Sequence, residues 1–205
     1  MVTWIVEHIT EIAGVAFTLI FLALEIKGKW TMWILGIVSA IFYIIINTES
    51  KLYAMAGLNL YNAAICGYGL YCWKFLESGP KTKGLKFSNI TPKLSIILSA
   101  VGIIVFGIIA TVIAVFTDVP DPFQNIRTLI PFALDCLITT LSIIATWMAA
   151  RKIVQSWFLW MTVNPLTIVV YVYREMAPSA ILYVIYTAFS IFGYIQWKKF
   201  ADNRT

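Results

Sequence analysis

The alternation of hydrophobic and polar positions divides the chain into seven long apolar runs separated by short polar breaks. The runs cover residues 5–26, 31–48, 52–73, 94–117, 128–150, 153–173 and 178–197. Each approaches or exceeds the ~18–20 residues that carry a helix across a bilayer. A chain of this pattern must satisfy its backbone polar groups internally, so the expected fold is an all-α polytopic membrane protein of seven transmembrane helices.

Three runs carry polar residues that lipid alone would not tolerate. In WFLWMTVNPLTIVVYVYR, Trp157 to Arg174, a WxxW pair leads to an asparagine and a proline in mid-span. At about 100° per residue, Trp157, Trp160, Asn164 and Tyr171 fall within about 60° of one another, on one narrow stripe. Counting ~1.5 Å per residue from Ile153, Asn164 lies about 16 Å deep in a core of ~30 Å, at the midplane. An amide there is costly unless something pairs with it, and Pro165 beside it loosens the backbone. The stripe is expected to be one wall of a substrate path suited to a flat, polar, cationic ligand.

The run at 128–150 places Asp135, Thr139, Ser142 and Thr146 at i, i+4, i+7 and i+11. A carboxylate within a span usually faces the bundle interior or a water-filled cavity, so Asp135 reads either as a path residue or as a hydrogen-bond hub. The hydroxyls are weaker signals, because such side chains often bond their own helix. The run at 52–73 holds Asn59 and Asn62 on one face, and its Ala63 and Gly67 have the small-xxx-small spacing of close helix contact. By contrast, the run at 94–117 is nearly featureless and reads as a lipid-facing connector.

An internal repeat organises these runs. WTMW (30–33) matches WFLW (157–160) at an offset of 127, and GLYCWKF (69–75) matches GYIQWKKF (193–200) at an offset of 124 for its Gly and Trp. The three-residue difference is assigned to the intervening loop. On this register Ile37 stands opposite Asn164, and Tyr183 and Tyr186 stand opposite Asn59 and Asn62. Each half is then three helices joined by a single linking helix, which gives 3+1+3 parallel repeats about an axis along the membrane normal. The divisions are a first repeat at 1–75, a loop–linker–loop segment at 76–127, a second repeat at 128–200 and a tail at 201–205.

Composition agrees with a membrane chain. Of 205 residues, 60% are hydrophobic and 12% charged, and the mean hydropathy is +0.85. Charge matters through its distribution. Lys27, Lys29, Lys74, Lys81, Lys83, Lys86, Lys93, Arg151, Lys152, Lys198, Lys199 and Arg204 fall on one side, against Lys51, Arg127 and Arg174 on the other. This bias puts the N-terminus outside and the C-terminus in the cytoplasm. The first span reads as a helix rather than a signal peptide, lacking a basic n-region. Cys66, Cys72 and Cys136 all sit inside spans and read as small apolar residues, with no metal pattern or disulfide framework. Trp30, Trp33, Trp73 and Trp197, near the cytoplasmic interface, read as an aromatic belt; Trp157 fits a belt or a ligand wall, and Trp160 a ligand wall.

These residues resemble a known family. WxxWxxxN at 157–164, the string KLYAMAGLNLYNAAICGYGLYCW at 51–73 and its echo ILYVIYTAFSIFGYIQW at 181–197 are similar to the PnuC family of vitamin transporters, over about residues 10 to 200. The resemblance implies a SWEET-like core of parallel repeats, often assembled as a homotrimer. It also implies import of nicotinamide riboside by facilitated diffusion, with a cytoplasmic kinase trapping the vitamin by phosphorylation; relatives carry thiamine or riboflavin. On matching positions, the aromatic clamp falls on Trp157 and Trp160 and the binding amide on Asn164. A polar position commonly held by glutamine falls on Asn59, one methylene shorter here. The family's span-5 aspartate with following hydroxyls matches Asp135, Thr139 and Ser142.

Other classes fit less well. The single histidine, His8, lies in the N-terminal segment, and no HExxH, GxSxG or paired-aspartate motif accompanies it, so an enzyme is not expected. No P-loop is present for an energised pump, and the basic loop at 74–93 is too slight a signal for a nucleic-acid partner. Neither cofactor nor metal is expected; the partners are the bilayer and a small vitamin. A SWEET-type sugar facilitator is the nearest competitor.

Overall fold

The structure, a computed structural model, describes residues 9–49, 53–75, 86–116, 125–173 and 177–203. Lys51, Lys81, Lys83, Arg174, Arg204 and His8 lie outside the described residues. Among the described residues there are seven helices: α1 (Ile9–Ile26), α2 (Thr31–Glu49), α3 (Tyr53–Lys74), α4 (Pro92–Phe116), α5 (Ile126–Ala150), α6 (Ser156–Tyr173) and α7 (Ala177–Asp202). They match the seven apolar runs to within a few residues at each end. By length and composition α4 to α7 can each cross a membrane, and α2 carries a shorter apolar stretch, Thr31–Ile45. Two compact units are distinguished. One holds the described residues up to Lys86 together with those from Ile195; the other holds Phe87 to Tyr194.

In the first unit α2 packs along α3 and against α1. The approach of α3 is set by Gly69, where an added Cβ would lie 2.5 Å from ring carbons of Trp33. Only a residue without a side chain lets the indole lie flat on the helix backbone. Gly67 does not serve this purpose, since a Cβ there would meet nothing within 4 Å; the small-xxx-small spacing therefore misplaces the contact by two residues. Trp33 meets Trp73 edge-on with centroids 5.7 Å apart, and Trp73 meets Trp197 at 5.8 Å. The Trp197 Nε1 donates to the Glu25 backbone oxygen at 3.0 Å. All three rings are at most 1% exposed. The belt expected for Trp33, Trp73 and Trp197 is thus a core. An interfacial ring keeps one side in lipid, and these keep none.

In the second unit α5 packs on α4 and on α6. The half-buried positions of α4 recur at Leu94, Leu98, Gly102, Val105, Ile109 and Ile113, the helical period of a single seam, while Ile96, Ile103 and Ile104 are largely exposed. That is the geometry expected of a lipid-facing connector. Residues 88–90 dock on the turn between α5 and α6: Ser88 N donates to Lys152 O at 3.1 Å, Val154 N to Ser88 O at 3.0 Å, and Ile90 N to the Gln155 side chain at 2.7 Å.

One local frame occurs in both units. After α1, Gly28 N donates to Glu25 O and Lys29 N to Leu24 O; after α5, Lys152 N donates to Ala149 O and Ile153 N to Met148 O. Gly28 and Lys152 both have positive φ, at 65° and 54°. This is the Schellman termination, written twice. Beyond each turn a tryptophan, Trp33 or Trp157, lies under a glycine of a later helix, Gly69 or Gly193, with the same 2.5 Å closeness. Every one of these pairs is separated by 124 residues. The register read from the tryptophan strings is therefore shifted: Trp33, not Trp30, is the counterpart of Trp157, and Ala40, not Ile37, is the counterpart of Asn164. The backbone turn sets the correspondence, and similar letters one helical step away do not.

Candidate functional site

The chemistry of the second unit gathers where α5, α6 and α7 meet. Pro131 and Pro165 lie inside α5 and α6; each removes a backbone donor, so each helix is locally easier to bend. Asp135 and Ser142 on α5, Trp160, Thr167 and Tyr171 on α6 and Tyr183 on α7 line a cavity of about 200 Å³, completed by Ile138, Val163 and Val170. Tyr171 and Tyr183 face each other with ring centroids 5.4 Å apart, and Tyr183 meets Tyr186 edge-on at 5.1 Å. Asp135 is the one charged residue of the lining, and no lysine or arginine contributes to it. The indole N–H of Trp160 is buried without a hydrogen-bond partner among the described residues. A buried donor left unbonded costs free energy, which a ligand acceptor would recover.

Asn164 stands behind this cavity rather than in its lining. It is 4% exposed, and its Nδ2 donates to Ser190 Oγ at 3.0 Å; Ser190 in turn donates to Tyr186 O at 2.8 Å. The amide is thereby held to α7 at the depth where an unpaired one would be costly. Trp157 is 1% exposed, with its ring against Gly193. Of the WxxW pair, only Trp160 reaches the cavity, because the preceding tryptophan is taken up by the helix contact.

The hydroxyls of α5 divide similarly. Thr139 donates to Asp135 O at 2.7 Å, Ser142 to Ile138 O at 2.8 Å and Thr146 to Ser142 O at 2.8 Å, so each satisfies itself on its own helix. Ser142 still forms cavity wall, whereas Thr139 does not. In the first unit Asn59 is half-buried and Asn62 exposed, both on α3. Val163, Thr167 and Val170 were not singled out by the sequence; Val163 lies one turn after Trp160, Thr167 one turn after Asn164, and Val170 one turn after Thr167. The described residues contain no cluster of histidine, cysteine and carboxylate groups able to hold a metal. Cys66, Cys72 and Cys136 are free and buried, as small apolar residues would be.

Comparison with known proteins bears directly on this arrangement. A family model described as nicotinamide mononucleotide transporter matches residues 8–199. The chain belongs to that transporter family. It is a multi-pass membrane protein and not an enzyme. Among relatives, it is 24% identical over 223 residues to the nicotinamide riboside transporter PnuC of Escherichia coli (strain K12), covering 98% of this chain and 88% of that one. It is also 24% identical over 189 residues to the nicotinamide riboside transporter PnuC of Neisseria mucosa, covering 87% and 68%. A crystal structure of the vitamin B3 transporter PnuC superposes with a TM-score of 0.68 at 22% identity, over 93% of this chain and 81% of that one. The fold of the family is thus the fold of this chain.

Proposed function

We propose that this member of the family imports nicotinamide riboside by facilitated diffusion, and that phosphorylation by a cytoplasmic kinase traps the product. The observation that carries the reading is the lining of the 200 Å³ cavity: one carboxylate, three aromatic rings and no base. The riboside bears a pyridinium, which a carboxylate and aromatic faces favour. The mononucleotide named by the family description adds a phosphate, which would lie near Asp135 with no cation to offset it. The names of the PnuC relatives support the same choice.

A cavity of this size suits a single ring, since whole drug-sized ligands occupy about 300–1,000 Å³. In this reading the pyridinium ring sits among Asp135, Trp160, Tyr171 and Tyr183, and the ribose extends beyond it. The Trp160 N–H donates to a ligand oxygen. Asn164 positions the wall through Ser190, and Trp157 fixes α6 against α7. Tyr186, Thr139 and Ser142 complete the binding set of the second unit, and Asn59 and Asn62 are the substrate-binding positions proposed for the first.

The wider architecture belongs to the same proposal. The chain is read as SWEET-like 3+1+3 parallel repeats, 1–75 and 128–200 around the linker segment 76–127, with an external N-terminus, a cytoplasmic tail at 201–205 and assembly as a homotrimer. The constant 124-residue spacing of the turn and of the tryptophan–glycine contact supports the duplication. Transport follows from rocking of the halves, with Pro131 and Pro165 as hinges.

Uptake into proteoliposomes of labelled nicotinamide riboside, its mononucleotide, thiamine and glucose tests the substrate, with accumulation of the riboside alone expected. Asn164→Leu should abolish riboside binding while the purified protein keeps its oligomeric mass. Binding equal to the parent would remove Asn164 and its wall from the account.

A further inference from the structure

The second unit holds another cavity besides the acidic one. It is a groove of about 550 Å³ in the second unit, bounded by α4, α5 and α6 and lined mainly by apolar side chains such as Leu98, Ile103, Phe106, Leu141, Ile144 and Leu159. Along α4 it runs from Ser95 to Phe106, and along α5 from Met148 back to Leu137. Eleven residues at ~1.5 Å give about 16 Å on both helices. A single leaflet of a ~30 Å hydrocarbon core is ~15 Å deep. The groove is therefore one acyl chain long, from one interface to the midplane.

Its polar end is built differently from its floor. At the N-terminal end of α4 and α6 its lining includes Ile90, Ser95 and Gln155, and Gln155 is fixed by accepting from Ile90 N at 2.7 Å and donating to Asn89 Oδ1 at 2.9 Å. Three exposed bases, Lys86, Lys93 and Arg151, lie within four residues of these positions. No aspartate or glutamate occurs in 86–99 or 147–159. An apolar slot one leaflet deep whose end lies close in sequence to Lys86, Lys93 and Arg151 is complementary to an anionic amphiphile.

The geometry points to a bound anionic phospholipid, with one acyl chain in the α4–α5–α6 groove and its phosphate at the rim of Lys93 and Arg151. A zwitterionic lipid would fill the slot but gain little from the rim. Each base near a membrane surface attracts an anionic headgroup by about 1 kcal/mol. Loss of two bases then corresponds to about a 30-fold weaker affinity.

Native mass spectrometry of the purified full chain in detergent, titrated with phosphatidylglycerol or phosphatidylcholine of identical chains, tests this assignment. The expected result is a phosphatidylglycerol adduct that Lys93→Gln/Arg151→Gln weakens about 30-fold. Ser99→Trp, which fills the groove from a wall residue, should remove the adduct without changing the melting profile or the oligomeric mass. Equal retention of both lipids would overturn the assignment. So would an adduct that survives Ser99→Trp, or a Ser99→Trp chain that loses its oligomeric mass while keeping lipid, which would mean that a second copy fills the groove.

Discussion

The α1–α3 segment and the α5–α7 segment share a frame and differ in what the frame holds. The turn, its hydrogen bonds and the indole under a glycine recur at a constant spacing of 124 residues. At that spacing Trp160 corresponds to Gly36, Asn164 to Ala40 and Ser190 to Cys66. Where the second segment has an amide bonded to a hydroxyl, the first has a buried methyl and a buried thiol. Where the second has a cavity-lining indole, the first has a glycine whose added Cβ would lie 2.6 Å from Cys66 Sγ. The packing is alike and the chemistry is not. Two positions suffice to explain the contrast: removing the Trp160 side chain lets helices close, and removing the amide removes the need for a polar partner.

The largest effect should come from the shared contact itself. Gly69→Ala and Gly193→Ala each push a Cβ into an indole, and overpacking of this kind costs about 1–3 kcal/mol or more. Thermal melts in detergent should fall steeply for both variants and stay unchanged for Gly67→Ala, which faces open space. A tolerant Gly193→Ala beside an intolerant Gly69→Ala would show that the two frames are not equivalent. Next in size is Trp160→Ala. A desolvated cation–π contact contributes about 2 kcal/mol, so riboside affinity measured by calorimetry should fall about 30-fold with the melting profile retained. Unchanged affinity would return Trp160 to packing. The smallest effect separates Ser190 from its counterpart. Ser190→Ala removes the helix-internal bond to Tyr186 O and leaves the Asn164 amide without its acceptor; the lost amide bond, worth about 1 kcal/mol, corresponds to about a fivefold loss of uptake. Cys66→Ala should be silent in uptake, and an equal loss in both variants would erase the asymmetry.

Much of the fold was legible in the sequence because a bilayer imposes one rule on every span. Length and apolar runs therefore give helix ends to within a few residues, and the bare surface of α4 follows from its lack of polar positions. What eluded the sequence was which apolar neighbour each ring meets. Trp33, Trp73 and Trp197 have the composition of an interfacial belt, and lipid and protein interior look alike to an indole's hydropathy. The repeat register failed for a related reason. WTMW and WFLW match as letters, yet Trp30 lies beneath the Lys74 ammonium at 4.8 Å, whereas Trp33 is the ring under a glycine. Of the stripe of Trp157, Trp160, Asn164 and Tyr171 on α6, only Trp160 and Tyr171 line the cavity. Its division into wall and support depends on Gly193 and Ser190, more than twenty residues away on another helix, and no helical wheel contains them.

The stack of Trp33, Trp73 and Trp197 has a consequence for biosynthesis. Its third ring, with the hydrogen bond to the Glu25 carbonyl, is made 124 residues after Trp73. Until then the nascent first helices lack the piece that caps their aromatic core, and their packing stays incomplete while α4 to α6 are being made. A stop codon just before Trp197 would leave α1 to α3 in place, yet it would withhold an internal wall of their own unit.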